Sequence, residues 1–350
     1  MFYLTYRPKT IDEIDNSKVK EEVGKILNSK HLPHALLFAG QKGTGKTSTA
    51  RVFAKSINCL SNKFADKNPS VEPCNKCANC TSIDESSSVD VIEMDAASNR
   101  GIDEIRNLIK ETSFLPMNNR YRVFIIDEAH MITADAFNAL LKTLEEPPAQ
   151  VIFILATTNL EKLPKTIVSR CFLVNFGRAK KSDIIHMLLR ITKEEKIAVD
   201  KQLLQLIASH SENSFRDATK ILEELTIQNK LSLPEGEKWL GILSKENLLK
   251  EIQNKNLKDA LSWIEEFSSA GGNFKHLIEE LMDELRKQLL VKNSIAVEEE
   301  VLELHFSLSE IASLIKLLNE AYNNLKISPS ESLPLEIAIV DFYNSRKLKS

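Results

Sequence analysis

The chain has 350 residues, of which 43% are hydrophobic and 27% are charged, a composition typical of folded domains with substantial cores. Its formal net charge of −3 argues against a uniformly basic nucleic-acid binder but permits a local basic surface. The chain lacks an apolar stretch of the roughly 18 to 20 residues that a membrane span requires, and its N-terminus lacks the layout of a signal peptide. We therefore expect a cytoplasmic protein of two or three domains that has no membrane partner.

Short apolar runs alternate with helical patterns between residues 35 and 176. The runs cover 35–39, 89–94, 123–127, 151–156 and 172–174. Continuous apolar strands that are separated by helices predict an α/β fold, in which a parallel five-stranded sheet is covered on both faces. Ligands of such sheets bind outside the carboxyl ends of the strands.

From residue 178 onward, amphipathic helical patterns replace the strand pattern, beginning with 184–189 and 203–208. The sequence Leu-Ser-Leu-Pro-Glu-Gly at 231–236 predicts a break, after which the chain is again helical. The predicted domains are 1–177, 178–238 and 239–350.

Residues 40–48 read G-Q-K-G-T-G-K-T-S and match the phosphate-binding loop pattern G-x-x-x-x-G-K-[ST]. An apolar run precedes them and a helical stretch follows, which is the context of a true phosphate loop rather than of a glycine-rich turn with a surface lysine. Glycines let backbone N–H groups converge on phosphate oxygens at the start of a helix. The predicted nucleotide-binding residues are Gly40, Gly43, Thr44, Gly45, Lys46, Thr47 and Ser48. Lys46 would contact the β- and γ-phosphates of ATP, and Thr47 would ligate Mg²⁺.

Polar residues end the two strands that follow. Asp127 is expected to hold Mg²⁺, and Glu128 is expected to orient and polarise the attacking water as a general base. Adjacent carboxylates alone fit a solvated turn equally well, but the phosphate loop upstream favours the catalytic interpretation. Thr157, or Asn159 as a second choice, would hydrogen-bond the water or the γ-phosphate; a simple strand-end turn is the alternative.

Four cysteines form the pattern C-x14-C-x2-C-x2-C, namely Cys59, Cys74, Cys77 and Cys80. Four thiolates fill the tetrahedral coordination of Zn²⁺, so we predict a structural zinc site; free buried thiols are the alternative. Cys171 lies apart from this cluster and is expected to be a core residue.

The order of these motifs resembles the ATPase subunits of sliding-clamp loaders, a branch of the AAA+ superfamily, and most of all the gamma/tau family of bacterial DNA polymerase III. The most specific matches are D-E-A-H-M at 127–131 and F-N-A-L-L-K-T-L-E-E-P-P at 137–148. Further matches are Y-R-P at 6–8, S-R-C at 169–171 and R-D-A at 216–218. The resemblance implies that 1–177 is an AAA+ P-loop domain with a zinc module at 59–80, that 178–238 is a helical lid, and that 239–350 is a helical collar.

The resemblance also assigns roles that the residues alone do not give. Tyr6, Arg7 and Pro8 would lie against the adenine and sugar. Arg216 would contact the γ-phosphate of its own ATP, and Arg170 would reach the ATP of a neighbouring subunit. By themselves, both arginines fit ordinary surface ion pairs better than a catalytic role, and only the resemblance favours the latter. Residues expected to face DNA are Asn99, Arg100, Gly101 and Thr133.

The partners that the resemblance implies are the other clamp-loader subunits in a five-membered ring, a sliding clamp, primer–template DNA and the replicative polymerase at nucleoid replication forks. The chain would be an ATP hydrolase within the DNA-directed DNA polymerase III holoenzyme, a nucleotidyltransferase, and would use ATP, Mg²⁺ and structural Zn²⁺. Longer family members carry a tail that binds polymerase and helicase. No such sequence occurs up to residue 350, so a short form and a truncated longer form both stay open.

Two other functions fit parts of the pattern. A translocating DNA motor shares the phosphate loop and the acidic strand end, but the four-cysteine module and the Ser-Arg-Cys sequence are not expected in it. A non-catalytic binding subunit is disfavoured by the intact set of Lys46, Thr47, Asp127 and Glu128.

Overall fold

The computed structural model describes residues 1–99, 101–240, 245–254, 256–269, 271–295, 302 and 304–347. Arg100, one of the expected DNA contacts, lies outside the described residues. Contacts divide the chain into two compact units, Met1–Asn229 and Lys230–Ser350. The finer division at 177 and 238 stays a prediction.

A parallel five-stranded sheet forms the centre of the first unit, as predicted. Its strands are β1 (Ala35–Gly40), β2 (Val91–Asp95), β3 (Arg122–Asp127), β4 (Val151–Thr157) and β5 (Phe172–Gly177). Their spatial order is β2-β3-β4-β1-β5, and every neighbouring pair is parallel. Strand β1 lies between β4 and β5, with Leu37 opposite both Leu155 and Leu173. Because all strands run the same way, their carboxyl ends lie at one edge of the sheet.

Helices cover both faces of this sheet. In chain order, the helices of the first unit are α1 (Phe2–Thr5), α2 (Ser17–Asn28), α3 (Lys46–Asn58), α4 (Ala78–Asp84), α5 (Ile102–Glu111), α6 (Ala134–Glu145), α7 (Lys165–Val168), α8 (Lys181–Glu194), α9 (Lys201–His210) and α10 (Phe215–Ile227). Side chains alternate along β1: Leu36 and Phe38 pack in a core with α2 and α3, and Leu37 packs in a second core with α5 and α6. The predicted helices at 184–189 and 203–208 are confirmed as parts of α8 and α9.

The second unit is helical throughout its described residues, as predicted. Its helices are α11 (Leu233–Trp239), α12 (Lys245–Gln253), α13 (Leu257–Ser269), α14 (Phe274–Lys292), α15 (Leu308–Asn324) and α16 (Leu333–Lys347). They share one core, in which the rings of Trp263 and Phe267 stack with centroids 5.3 Å apart. Within the described ranges, every helix is too short or too polar to cross a membrane.

The predicted break at 231–236 is wrong in its second half, because α11 begins at Leu233. Pro234 lies in the first turn of α11. Backbone N–H groups there have no acceptor within the helix, so the missing N–H group of proline costs no hydrogen bond. The Gly236 N–H donates to the Ser232 carbonyl over 3.0 Å, and the Ser232 hydroxyl donates to Glu235 over 2.7 Å. The Pro-Glu-Gly sequence therefore opens a short helix here.

One buried carboxylate fixes the loop between α5 and β3. The side chain of Asp90 is fully buried just before β2. It accepts backbone N–H groups from Met117 at 2.9 Å, from Asn118 at 2.8 Å and from Asn119 at 3.0 Å. Bonds to a charged acceptor are stronger than neutral ones, and all three donors depend on this single group.

We predict that Asp90→Ala lowers the free energy of opening of β3 by about 3 kcal/mol, because three partly buried N–H groups lose the buried carboxylate that accepts them. Hydrogen-exchange mass spectrometry of the β3 amides measures this free energy. Asp103→Ala is the control, since the Asp103 side chain is 85% exposed. A decrease in this free energy below about 1 kcal/mol for Asp90→Ala would contradict the prediction, because substitutions of ordinary surface groups have effects that small.

Candidate functional site

A cavity of about 290 Å³ lies at the carboxyl end of β1. Most of its lining comes from the N-terminal residues, the loop between β1 and α3, the end of β3 and the start of α10, and single residues such as Glu93 and Met187 come from other elements. The predicted residues in its lining are Tyr6, Arg7, Pro8, Gly43, Thr44, Gly45, Lys46, Thr47, Ser48, Asp127, Glu128 and Arg216. Residues far apart in the sequence therefore meet around one cavity, as a nucleotide site requires.

The loop between β1 and α3 takes a backbone path that needs glycine. Gly43 has φ of +77° and Gly45 has φ of +93°, both in the left-handed region that a Cβ atom disfavours. At Gly43 an added Cβ would also lie 2.0 Å from the Ser214 hydroxyl oxygen. The loop ends where α3 begins, so free N–H groups at the helix N-terminus face the cavity.

The start of α10 packs directly on this loop. The Phe215 N–H donates to the Gly43 carbonyl over 3.0 Å, and the Ser214 side chain caps α10 by accepting the Asp217 N–H over 3.2 Å. Asn213 has φ of 58°, a conformation that asparagine adopts more readily than most residues. These contacts place Arg216 at the cavity.

Lys46 is held at the end of β1. Its ammonium donates to the carbonyls of Gly40 and Gln41, each at 2.8 Å, so Gly40 acts through its carbonyl rather than in the cavity lining. Burial lowers the pKa of Lys46, and the nearby carboxylates of Glu128 and Asp127 oppose that shift. The ammonium is thus fixed beside the loop amides.

Thr47 and Asp127 form the candidate magnesium site. The Thr47 hydroxyl donates to Asp127 Oδ2 over 2.6 Å. Hydroxyl and carboxylate oxygens are ligands that Mg²⁺ takes in phosphate sites, and at this separation both could serve one ion. The donor set fits the expected metal.

Glu128 is held by the residue that follows β4. Its backbone has φ of 48°, and its Oε2 accepts the Thr158 hydroxyl over 2.9 Å. His130 Nδ1 lies 3.4 Å from the same oxygen. The sequence predicted a site role for Thr157 or Asn159 but none for Thr158, which lies between them.

The two neighbours, Thr157 and Asn159, bond to each other. Thr157 is fully buried, and its hydroxyl oxygen accepts the Asn159 N–H over 3.1 Å. Neither residue is in the lining of the cavity. Their proposed contact with the water or the γ-phosphate stays a prediction.

Three guanidinium groups surround the cavity: Arg7, Arg51 and Arg216. Burial lowers the pKa of Arg7, and the charges of Arg51 and Arg216 lower it further. Arg51 Nε also donates to Glu93 over 2.7 Å. The lining also holds two lysines and four acidic residues, so its formal charge is +1, and the arginines supply local positive charge for an anion. Arg51 was missed because one arginine on a helix resembles any surface cation in sequence.

Arg170 does not line the cavity of its own chain. It follows α7, forms an ion pair with Glu145 and donates to the Thr166 carbonyl over 2.8 Å. Its side chain is 33% exposed, so part of it is accessible from outside the chain.

The described residues expected to contact DNA lie at two helix starts. Gly101 and Thr133 are the N-cap residues of α5 and α6, which pack against each other. The Asn99 side chain donates to the Asp95 carbonyl over 3.1 Å. Asp103 and Glu104 also occupy the first turn of α5.

The four cysteines Cys59, Cys74, Cys77 and Cys80 come together, with their sulfur atoms all within 4.8 Å of one another. Zn–S bonds of about 2.3 Å in a tetrahedron place sulfurs about 3.8 Å apart, so the cluster fits zinc after small shifts. The Cys74 N–H donates to the Cys59 sulfur and the Cys77 N–H to the Cys74 sulfur, each at 3.3 Å. Burial raises the pKa of Cys74, but N–H groups of Lys76 and Cys77 and neighbouring thiols outweigh it and lower that pKa to about 6.

The cluster lies at the end of α3 that is remote from the cavity. Cys59 is the C-cap residue of α3. Lys55 on the same helix is 1% exposed, and its ammonium contacts Asp84 at 2.7 Å and Asn75 at 2.8 Å. Since a buried charge must be paired, these contacts tie the module to α3.

Comparison with known proteins identifies the relatives of this chain. A family model described as "DNA polymerase III, delta subunit" matches residues 15–180. The chain is 36% identical to DNA polymerase III subunit tau of Bacillus subtilis, over 97% of this chain and 62% of that protein. It is 32% identical to DNA polymerase III subunit gamma of Buchnera aphidicola (subspecies Baizongia pistaciae), over 97% of this chain and 95% of that protein.

Among solved structures, the RuvB Holliday junction branch migration motor of Thermotoga maritima is 19% identical, with a TM-score of 0.48 over 71% of this chain and 79% of that chain.

The chain spans 62% of the Bacillus subtilis tau subunit and 45% of the 35% identical tau subunit of Escherichia coli. It spans nearly the whole gamma subunit of Buchnera aphidicola. The parallel sheet, the phosphate loop at the end of β1 and these relatives together confirm the AAA+ P-loop fold expected from the sequence. This chain is therefore a member of the gamma/tau family of DNA polymerase III subunits.

Proposed function

We propose that this chain is an ATP-hydrolysing subunit of a bacterial clamp loader, which opens a sliding clamp and places it on primer–template DNA. One observation carries the proposal: Lys46, Thr47, Asp127, Glu128 and Arg216 converge on one cavity in a chain of the gamma/tau family. The protein would act in the cytoplasm at replication forks, together with the replicative polymerase of the DNA polymerase III holoenzyme.

The triphosphate of ATP would bind to the loop amides at the start of α3. These N–H groups and the helix dipole favour an anion, and Lys46 adds a fixed positive charge. Tyr6, Arg7 and Pro8 would lie along the base and sugar. The positive charges of Arg7, Arg51 and Arg216 support a bound polyanion.

Hydrolysis would depend on positioning and charge. Mg²⁺, held by Thr47 and Asp127, would neutralise developing phosphate charge. Glu128 would take a proton from the attacking water, and Thr158 would hold its carboxylate in place through the 2.9 Å hydrogen bond. Arg216, fixed by the packing of α10 on Gly43, would contact the γ-phosphate.

Arg170 would complete the site of an adjacent subunit. Its absence from the lining of its own cavity and its partly exposed side chain support a role in trans. In a five-membered ring, each such arginine would stabilise transition-state charge across a subunit junction. The helical second unit would form the collar that holds the ring together.

ATP binding at the junctions would favour a spiral that opens the clamp and accepts DNA, and hydrolysis would release the closed clamp. DNA phosphates would meet the N-termini of α5 and α6, near Asn99, Gly101 and Thr133, through backbone N–H groups. The acidic side chains of Asp103 and Glu104 in α5 leave that contact to the backbone rather than to the first-turn side chains.

Zinc would be structural. Four cysteine ligands leave no open coordination position, so the ion would cross-link residues 59–80 and take no part in hydrolysis.

We predict that ATP turnover by the assembled loader rises strongly only when clamp and primed DNA are both present. Lys46→Ala should weaken ATP binding by at least about tenfold and abolish this turnover, because a charge-assisted contact to phosphate is lost. Lys30→Ala, an exposed lysine before β1, should match the wild type. Stimulation by DNA alone, with strand displacement, would favour a translocating motor instead.

We predict that Arg170→Ala leaves ATP binding by the isolated chain within about twofold of normal and lowers turnover in the assembled ring by about 10³- to 10⁵-fold. Steady-state hydrolysis measured beside nucleotide titration separates these effects. The exposed Arg178 provides the control, Arg178→Ala. Normal turnover of an Arg170→Ala ring would remove this residue from the active site.

We predict about one zinc ion per chain, lost in Cys77→Ser and kept in Cys171→Ser, because only the first residue belongs to the four-sulfur cluster. Elemental analysis of dialysed protein measures the metal. Equal zinc content in both variants would show that the cluster is not the metal site.

A further inference from the structure

Residues 6–16 are an irregular segment at one side of the cavity, the side where the base and sugar are proposed to lie. Tyr6, Arg7 and Pro8 line the cavity at one end of this segment, and Asp15 and Asn16 line it at the other. The structure describes every residue between α1 and α2, and no helix or strand lies in this stretch. The position of such a segment depends on where its backbone N–H groups find acceptors.

One side chain supplies acceptors at the centre of the segment. Glu72 accepts the Ile11 N–H at Oε2 over 2.8 Å and the Asp12 N–H at Oε1 over 3.1 Å. A carboxylate that binds two successive N–H groups makes strong and directional contacts. Glu72 is half-buried and lies 61 and 60 positions further along the chain than its partners.

Glu72 is in turn fixed by the module that contains the cysteines. Asn62 is 1% exposed, and its side-chain amide donates to the Ser56 carbonyl of α3 over 2.7 Å. The same amide lies 3.3 Å from the Glu72 carbonyl oxygen. Val71 packs against the core that contains Ile11. A continuous set of contacts therefore runs from α3 through the module to the segment at 6–16.

We propose that Glu72 is a positioning residue for the base and sugar part of the nucleotide, acting through the N–H groups of Ile11 and Asp12. The inference depends on the proposed function, because it concerns the same nucleotide site. The phosphate side is held by contacts at the end of β1 and the N-terminal end of α3 that do not involve Glu72, so Glu72 would act on the base and sugar. The cysteine module thus supports one wall of the cavity without touching the nucleotide.

The test compares two ligands in the presence of Mg²⁺. For Glu72→Ala, calorimetry should show ATP binding about tenfold weaker than wild type, and inorganic tripolyphosphate binding within about twofold. Glu72→Gln keeps one carbonyl acceptor and should lose about threefold for ATP. Glu85→Ala, an exposed acid at the end of α4, is the matched control and should bind both ligands normally. Zinc content and circular dichroism of each variant verify folding.

The outcomes separate the two proposals. A wild-type chain that binds neither ligand would overturn the proposed function and this inference with it. Wild-type binding of ATP with unchanged ATP affinity in Glu72→Ala would overturn the inference alone. Equal losses for ATP and tripolyphosphate would also overturn it, because Glu72 would then support the whole cavity rather than its base side. If Glu72→Ala fails to fold, Glu72→Gln provides the test. A loss of ATP affinity alone supports the inference, and unchanged ATP affinity or equal losses for both ligands overturn it.

Discussion

The left-handed backbone at Gly43 and Gly45 is the constraint on which the site depends. It turns β1 into α3 within a few residues, so that the helix starts beside the end of the strand. The same turn presents the Gly43 carbonyl to Phe215, which brings Arg216 to the cavity. One local conformation therefore sets the anion site and the approach of α10 together. A side chain at Gly43 would disturb both, because it would collide with Ser214.

The charged residues around this turn are held by separate sets of contacts. Lys46 is anchored to the carbonyls at the end of β1, and Glu128 to the hydroxyl of Thr158 at the end of β4. Since parallel strands align these ends at one edge, the sheet fixes the distance between the cation and the carboxylate. The far end of α3 is held by a different set of contacts, through Lys55 and Asn62.

Much of the fold could be predicted from the sequence because its signals are local and periodic. Apolar runs gave all five strands, and the spacing of glycine, lysine and threonine gave the phosphate loop. Thr158, Arg51 and Glu72 could not be found this way. Each is a single polar residue without a spacing pattern, and its role arises only when a strand end, a helix or a loop meets a distant segment. The short helix at 233–239 was missed because proline and glycine signal a turn more often than a first helical turn.

The central place of β1 in the sheet has a consequence for how the molecule is made. Its neighbours, β4 and β5, begin only at residues 151 and 172, long after β1 has left the ribosome. A nascent chain must therefore carry a fully apolar strand without its partners while most of the first unit is synthesised. Pairing across such sequence distances also makes sheet formation slow. Before β4 and β5 are made, α2 and α3, the helices closest to β1 in sequence, are the elements that can cover its apolar side chains.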